Sequence, residues 1–476
     1  VADRRTTPEP DSGCESGHNA EHDAEPDAEP DAGRDAEPDS ERGTERDTAL
    51  SEALTSSDSG SGAVPAEPTR RVSVGWMSLL AMVQMGIVMA STTGGQILLP
   101  SHVERIDPLH KEASLAVVFA AGAVFTAIAN PVFGALSDRT VGRFGRRRPW
   151  IVTGALLCAT SLVFLGGQES LGGLVVGWCL AQLSFTAMMA TAVATVPDQV
   201  PVRQRGKVSA LAGVGQLTGP LLGGLVVTMA VTGLFPGYVA VATLVLLTVL
   251  PFGLLTPEAP IARSPGRRLE PRAFVTGLWI SPRRHPDFAW AWLSRFLINL
   301  TLSMGIGYLL FFLRDAVRYE LLFPGSTAEQ GVLVLVTVFT LSSVAPGLLA
   351  GWLSDRIGRR KPIVFVGGLT MGASALVLAT LASWPAVIAA AALLGAGTGM
   401  FASVDQAMVT QLLPAATDRA KDLGVVSLAN SAAGVLGPVV AAPLVTSAGG
   451  YPLMYGVAAA FAACGALLVW KIRGVR

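Results

Sequence analysis

Residues 134–149 read GALSDRTVGRFGRRRP, and residues 351–362 read GWLSDRIGRRKP. Both strings run from a glycine through Ser-Asp-Arg to a second glycine, a cluster of basic residues and a closing proline, and their starts lie 217 residues apart. The same offset carries Pro197 onto Pro414, so two landmarks agree on an internal duplication. Whatever one half builds, the other half builds again.

Outward from these strings the chain is a series of long uncharged windows: 74–99, 113–137, 150–168, 170–197, 208–257, 330–354 and 423–470. Windows 288–313 and 362–417 are interrupted only by Arg295 and Asp405. A helix needs about 20 residues to cross ~30 Å of hydrocarbon, so several windows hold two crossings. Dividing the longest at Leu234–Gly237, Trp384-Pro385 and Ala448–Gly450 gives twelve spans, six per half. Strand-like alternation is missing from these windows, and backbone exposed to lipid must be satisfied internally, so the spans are read as helices.

Of 476 residues, 51% are hydrophobic and 15% charged, a balance that sets aside an ordinary water-soluble enzyme. The formal net charge of zero hides a division: residues 1–69 hold 19 acidic and 5 basic side chains, and the remainder holds 16 and 30. The acidic stretch, with its DAEPDAEPDAGRDAEPD near-repeat, has too little apolar area to offset the entropy of ordering and is read as a disordered tail. No cleavable secretory signal is recognised at its start, so the first apolar window is expected to act as the membrane address. With both termini in the cytoplasm of a cell-membrane protein, 25 Lys and Arg fall inside and four (Arg105, Lys111, Arg314, Arg318) outside. The expected divisions are the tail (1–69), an N-terminal six-helix bundle (70–256), a cytoplasmic central loop (257–286) and a C-terminal six-helix bundle (287–476).

The two opening strings resemble the loop between helices two and three of the major facilitator superfamily, G-x3-D-[RK]-x-G-[RK]-[RK]. Gly351, Asp355, Arg356, Gly358, Arg359 and Arg360 match directly, whereas Gly134, Asp138 and Arg139 are separated from Gly145, Arg146 and Arg147 by a longer stretch. That longer form is similar to the sucrose and glycoside symporters of the superfamily. The resemblance implies an all-α membrane protein with twelve transmembrane helices in two pseudo-symmetric six-helix bundles, in keeping with the duplicated architecture of secondary transporters. It further implies that Asp138 faces the start of span eleven near Leu423, that Asp355 faces the start of span five near Val208, and that spans one, four, seven and ten line a central cavity. Physically, Gly134 and Gly351 are expected to permit close helix approach at the cytosolic mouth, and the aspartates to latch a gate.

Asp405 lies nine residues before Pro414, about 13 Å from the end of its span at ~1.5 Å per residue. A carboxylate so deep in a membrane is a functional candidate, and Arg295, at comparable depth in span seven, is its expected charge partner. All five histidines are assigned to the tail or to polar connections, which leaves carboxylates to carry proton chemistry. Candidate substrate contacts are Gln84, Gln96, Gln182, Phe185, Asn299, Phe401 and Gln406, residue types that suit a hydroxyl-rich ligand, with Trp178 as a further stacking surface.

Span five departs from a plain sugar symporter. Gly215, Gly219, Pro220, Gly223 and Gly224 form a pattern that resembles the antiporter motif of drug exporters, although helix packing alone can also require it. The expected activity is proton-coupled secondary transport of a small solute, most simply a sugar or glycoside, with export of a drug or secondary metabolite as the alternative and a non-transporting membrane sensor as a remote one. The expected partners are the lipid bilayer, the solute and a coupling proton or other cation. No cofactor, metal ion or nucleic acid is called for, catalytic sets and phosphate loops are not recognised, and a monomer is expected.

Overall fold

The computed structural model describes residues 71–140, 145–256, 286–412 and 419–472. The acidic tail, most of the central loop, Arg143 and Pro414 lie outside the described residues. So do the side chains of Gly134, Asp138, Arg139, Gln406 and Leu423.

Among the described residues the fold is all helix. The spans are α1 (Val74–Ile106), α2 (Lys111–Arg139), α3 (Arg148–Gly166), α4 (Leu171–Gln199), α5 (Val202–Ala230) and α6 (Leu234–Leu255) in the first half. The second half supplies α7 (Pro286–Gly307), α8 (Ala328–Ile357), α9 (Lys361–Thr380), α10 (Trp384–Leu412), α11 (Arg419–Thr446) and α12 (Gly450–Leu468). Eleven helices are long and apolar enough to cross a membrane. The twelfth crossing is α7 with its continuation Leu309–Val317, bent by 50° at Tyr308.

Local sequence explains several boundaries. Ser73 and Ser170 accept the Trp76 and Gly173 amides as N-caps of α1 and α4, and Thr327 with Gln330 forms a capping box at α8. The opening strings are stop-and-start signals: Gly358 ends α8 in the left-handed conformation (φ 66°), and Pro149 and Pro362 stand in the first turns of α3 and α9. The turn expected at Leu234–Gly237 falls just earlier, at Gly233 (φ 98°), and Leu-Phe-Pro-Gly becomes the first turn of α6.

Packing repeats between the halves. α1 lies against α5 as α7 lies against α11, α2 against α4 as α8 against α10, and α3 against α6 as α9 against α12. Between halves, α2 packs extensively on α11 and α5 more lightly on α8. The glycine face of α5 lies on the backbone of α1: a Cβ on Gly215 would stand 2.2 Å from the Ala81 carbonyl oxygen, and one on Gly219 2.5 Å from that of Met85. In α11, Gly437 faces the side chain of Ser303 of α7. The expectation for Gly351 is corrected: a Cβ there would meet only Ser403, at 3.9 Å, whereas the tight α8–α10 contacts use Gly395 and Gly399.

Candidate functional site

A cavity of about 410 Å³, within the range of small-molecule sites, lies between the halves and is walled by α1, α2, α4, α7 and α11. Its polar wall includes Gln96, Gln182, Asn299, Ser303 and Asn430. Gln96 belongs to a π-helical segment, Gly94–Leu98, that interrupts α1; widened turns of this kind re-aim side chains and are frequent at functional sites. Trp178 lies in a glycine cradle, where Cβ atoms on Gly122, Gly95 and Gly94 would stand 2.6, 3.3 and 3.4 Å from its indole. Phe119 and Phe185 hold it edge-on, with ring centroids 5.9 and 6.2 Å away. Its Nε1–H is buried without a hydrogen-bond partner, although buried donors are normally paired. Among the described residues the side-chain amides of Gln96 and Gln182 bond to no protein group either.

The intramembrane charges meet beside this wall. Arg295 of α7 is ion-paired with Asp405 of α10, and its Nε–H donates to Asn430 Oδ1 at 3.1 Å. The Asn299 amide donates to the Arg295 carbonyl at 2.8 Å, so two cavity residues contact the arginine. Asp405 is 3% exposed, and its Oδ1 has no partner. A buried carboxylate with one oxygen satisfied is held in place by its guanidinium rather than by solvation.

Of the sequence-derived contacts, Gln96, Gln182 and Asn299 line the cavity. Trp178 lines it too, whereas Phe401, Phe185 and Gln84 are placed elsewhere. Phe401 is buried in a second-half core with Val404 and Met408, Phe185 packs behind Trp178, and Gln84 is buried with its Oε1 unpartnered and does not line the cavity. Helices α2 and α11 stand where α10 was expected in this wall. Ser303 and Asn430 went unrecognised because nothing local distinguishes them from the amides and hydroxyls that join helices elsewhere.

At the end bearing the repeated strings, Asp198 of α4 gathers the first copy: Arg146 Nη2 and Arg147 Nε donate to its Oδ2 at 2.6 and 2.8 Å. Arg147 also donates to Ser137 at 2.7 Å, and Gly145 (φ 85°) turns the loop between them. In the second copy, Arg356 stacks over Trp352 at 5.1 Å, and Asp355 is exposed with no hydrogen bond or ion pair among the described residues. Val208, its expected neighbour, is buried.

The opposite end is tied across the halves by an ionic chain. Lys111 of α2 donates to Glu104 of α1 at 2.9 Å and to Asp315 of the α7 continuation at 2.7 Å. Arg314 bridges Glu104 and Glu329, and Ser101 of α1 donates to Glu329 of α8 at 2.8 Å. Tyr451 of α12 donates to Asp315 at 2.8 Å. Three carboxylates and two cations thus join four helices of opposite halves, a cluster that sequence reading missed.

The placement of histidines is also corrected. His102 is fully buried in α1, because that helix continues beyond Pro100, and its Nε2–H donates to the Gln168 carbonyl at 2.9 Å. Cys158 and Cys179 are buried free thiols and Cys464 an exposed one; among the described residues no metal-ligand cluster occurs.

The sequence model of the Major Facilitator Superfamily matches residues 72–328 and 323–476. A sucrose transport protein of Arabidopsis thaliana is 31% identical over 116 residues, 24% of this chain and 22% of that protein, so the match spans well under half of that relative. Among solved structures, the nucleoside transporter NupG is similar with a TM-score of 0.64 at 13% identity, covering 83% of this chain and 98% of its own. The peptide transporter POT in complex with sulfate is similar with a TM-score of 0.69 at 14% identity, covering 86% and 96%. At such identities the likeness concerns the fold.

Proposed function

Because the chain belongs to the major facilitator superfamily, and so is a transporter rather than an enzyme, we propose that it carries a small hydroxyl-rich solute, a sugar or glycoside, by proton-coupled alternating access. One observation carries this reading: the central cavity is lined by the side-chain amides of Gln96 and Gln182, which have no protein partner among the described residues. Each sugar hydroxyl both donates and accepts, so such a ligand would pair these groups, whereas an apolar one would leave them buried and unpaired. The partial match to a sucrose transport protein points the same way.

Coupling follows from the ion pair. While ionised, Asp405 holds Arg295; a proton arriving on the carboxylate removes the attraction and frees a guanidinium that also touches Asn430, with Asn299 on its carbonyl. Protonation and solute binding then act on the same residues, which is the requirement for thermodynamic linkage between them. The far-end chain of Lys111, Glu104, Arg314, Glu329 and Asp315 is the extracellular gate in its closed form, and Asp355, without a partner among the described residues, is a cytosolic latch that is released. We read the carrier as a cell-membrane monomer with both termini in the cytoplasm, residues 70–256 and 287–476 being the rocking bundles. The span-five glycines have a packing role against α1 that is independent of the direction of transport.

The test is uptake of labelled disaccharide into proteoliposomes under an inward proton gradient. Accumulation that a protonophore abolishes supports the reading. Uptake indifferent to the gradient removes the coupling, and no uptake of any sugar removes the substrate class.

A further inference from the structure

The outer end of α1, Leu99–Ile106, is tethered on two faces. One face carries Ser101 and Glu104, which bond to Glu329, Lys111 and Arg314 within the ionic chain. The other carries His102, fully buried, whose Nε2–H donates to the Gln168 carbonyl in the turn after α3. The whole segment follows the π-helical turn Gly94–Leu98, a break in regular hydrogen bonding of the kind at which helices bend.

The His102 ring packs 5.7 Å from the ring of Tyr238 in α6. Because Nε2 carries the hydrogen for the Gln168 carbonyl, Nδ1 bears a lone pair; it is buried without a partner, as is the Tyr238 hydroxyl. No carboxylate bonds to the ring among the described residues. Of the charged groups around it, Arg105 follows on α1 itself and acts on the ring electrostatically. Glu104 is occupied by Lys111 of α2 and Arg314 of the α7 continuation, and Asp315 by Lys111. Glu169 is exposed, Glu112 of α2 bonds to no side chain among the described residues, and α6 contributes Tyr238 alone. A proton on Nδ1 would therefore set a cation in a buried site that already feels Arg105 and holds no anion, a costly placement.

We propose that His102 is an external-pH latch of the outer gate: neutral, it holds the outer end of α1 in the closed position, and it takes a proton from an acidic exterior only when that end swings out at the π turn and the ring reaches water. A proton that binds the open form alone favours the open form, so acid outside opens the gate and alkali closes it. This rests on reading the ionic chain as the outer gate. It is independent of Asp405, which lies beside the central cavity and is not in contact with this end.

Spin labels on Leu109→Cys and Leu321→Cys, exposed positions in the outer loops of opposite halves, report closure in the full-length, otherwise cysteine-free carrier. With equal pH on both sides of the membrane, a change from about pH 8 to about pH 5.5 should raise the open-to-closed ratio about tenfold, the factor by which an ordinary imidazole (pKa ~6.5) favours the form that binds its proton over that range. The response should persist in Asp405→Asn. His102→Gln, whose amide can still donate to the Gln168 carbonyl but does not titrate, should stay closed at both values. His102→Leu, which loses the donor, should be open to the same degree at both. A pH response that survives in both His102 variants, or that disappears in Asp405→Asn, overturns the proposal. Arg314→Ala controls for the gate itself: labels that separate in this variant but not on acidification of the unaltered carrier overturn the latch alone, and labels that separate in neither case overturn the gate reading and the latch with it.

Discussion

Arg295 and Asp405 come from antiparallel helices of the same half, and among the described residues their ion pair brings buried charge to the wall of the central cavity, through Asn430. A pair so buried adds little net stability, because the cost of desolvating two ions offsets their attraction, yet it makes either partner costly to remove. That asymmetry separates a coupling role from a structural one.

Removal of one partner should show the asymmetry. Asp405→Leu is expected to lower stability by about 3–5 kcal/mol, since it strands the guanidinium, while the double variant Arg295→Met with Asp405→Leu recovers most of that loss. Thermal unfolding in detergent measures both, and gradient-driven uptake should be absent from both. Recovery of uptake along with stability would make the pair structural.

Trp178 gives a second prediction. Trp178→Phe keeps an aromatic ring in the glycine cradle and deletes an N–H that is buried against Gly122 and out of reach of the cavity, and should leave solute affinity nearly unchanged. Gly122→Val, which drives atoms into the indole, should cost more. Competition binding to the purified carrier distinguishes them, and a large loss of affinity in Trp178→Phe would mean that the N–H turns to the ligand.

The glycines of α5 and α8 should respond oppositely. Gly219→Ala sets a methyl against the Met85 carbonyl and is expected to destabilise by about 1–3 kcal/mol through forced separation of α1 and α5. Gly351→Ala meets nothing closer than 3.9 Å and should be neutral or slightly stabilising, given the higher helix propensity of alanine. Unfolding midpoints report both.

At the far end, Arg314→Ala breaks the links to Glu104 and Glu329 together. It should shift the carrier towards the state open at that end by about 5- to 150-fold, the span of 1–3 kcal/mol. A single cysteine at Ser303, in an otherwise cysteine-free background, reads this as faster labelling by an impermeant thiol reagent from the outside. Unchanged labelling would show that the ionic chain does not gate.

The architecture was legible because two independent signals coincide: uncharged windows of membrane length, and the strings at Gly134 and Gly351 that mark equivalent turns. The depth of Arg295 and Asp405 could be counted from helix ends, since 1.5 Å per residue holds along a helix whatever its neighbours. Contacts made across the halves were not legible. Lys111 and Asp315 are 204 residues apart, and each looks like an ordinary solvated loop charge until the fold brings them within 2.7 Å. His102 was misassigned because Pro100 reads as a helix end; the π segment before it lets the chain pass the proline without stopping.

The central claim is that protonation of Asp405 drives solute movement. Purified carrier reconstituted in proteoliposomes, with a pH step imposed and labelled disaccharide outside, measures it directly against Asp405→Asn. The account predicts accumulation above equilibrium for the unaltered protein, and for the variant only exchange down the solute's own gradient. Accumulation by Asp405→Asn equal to that of the unaltered carrier would contradict it.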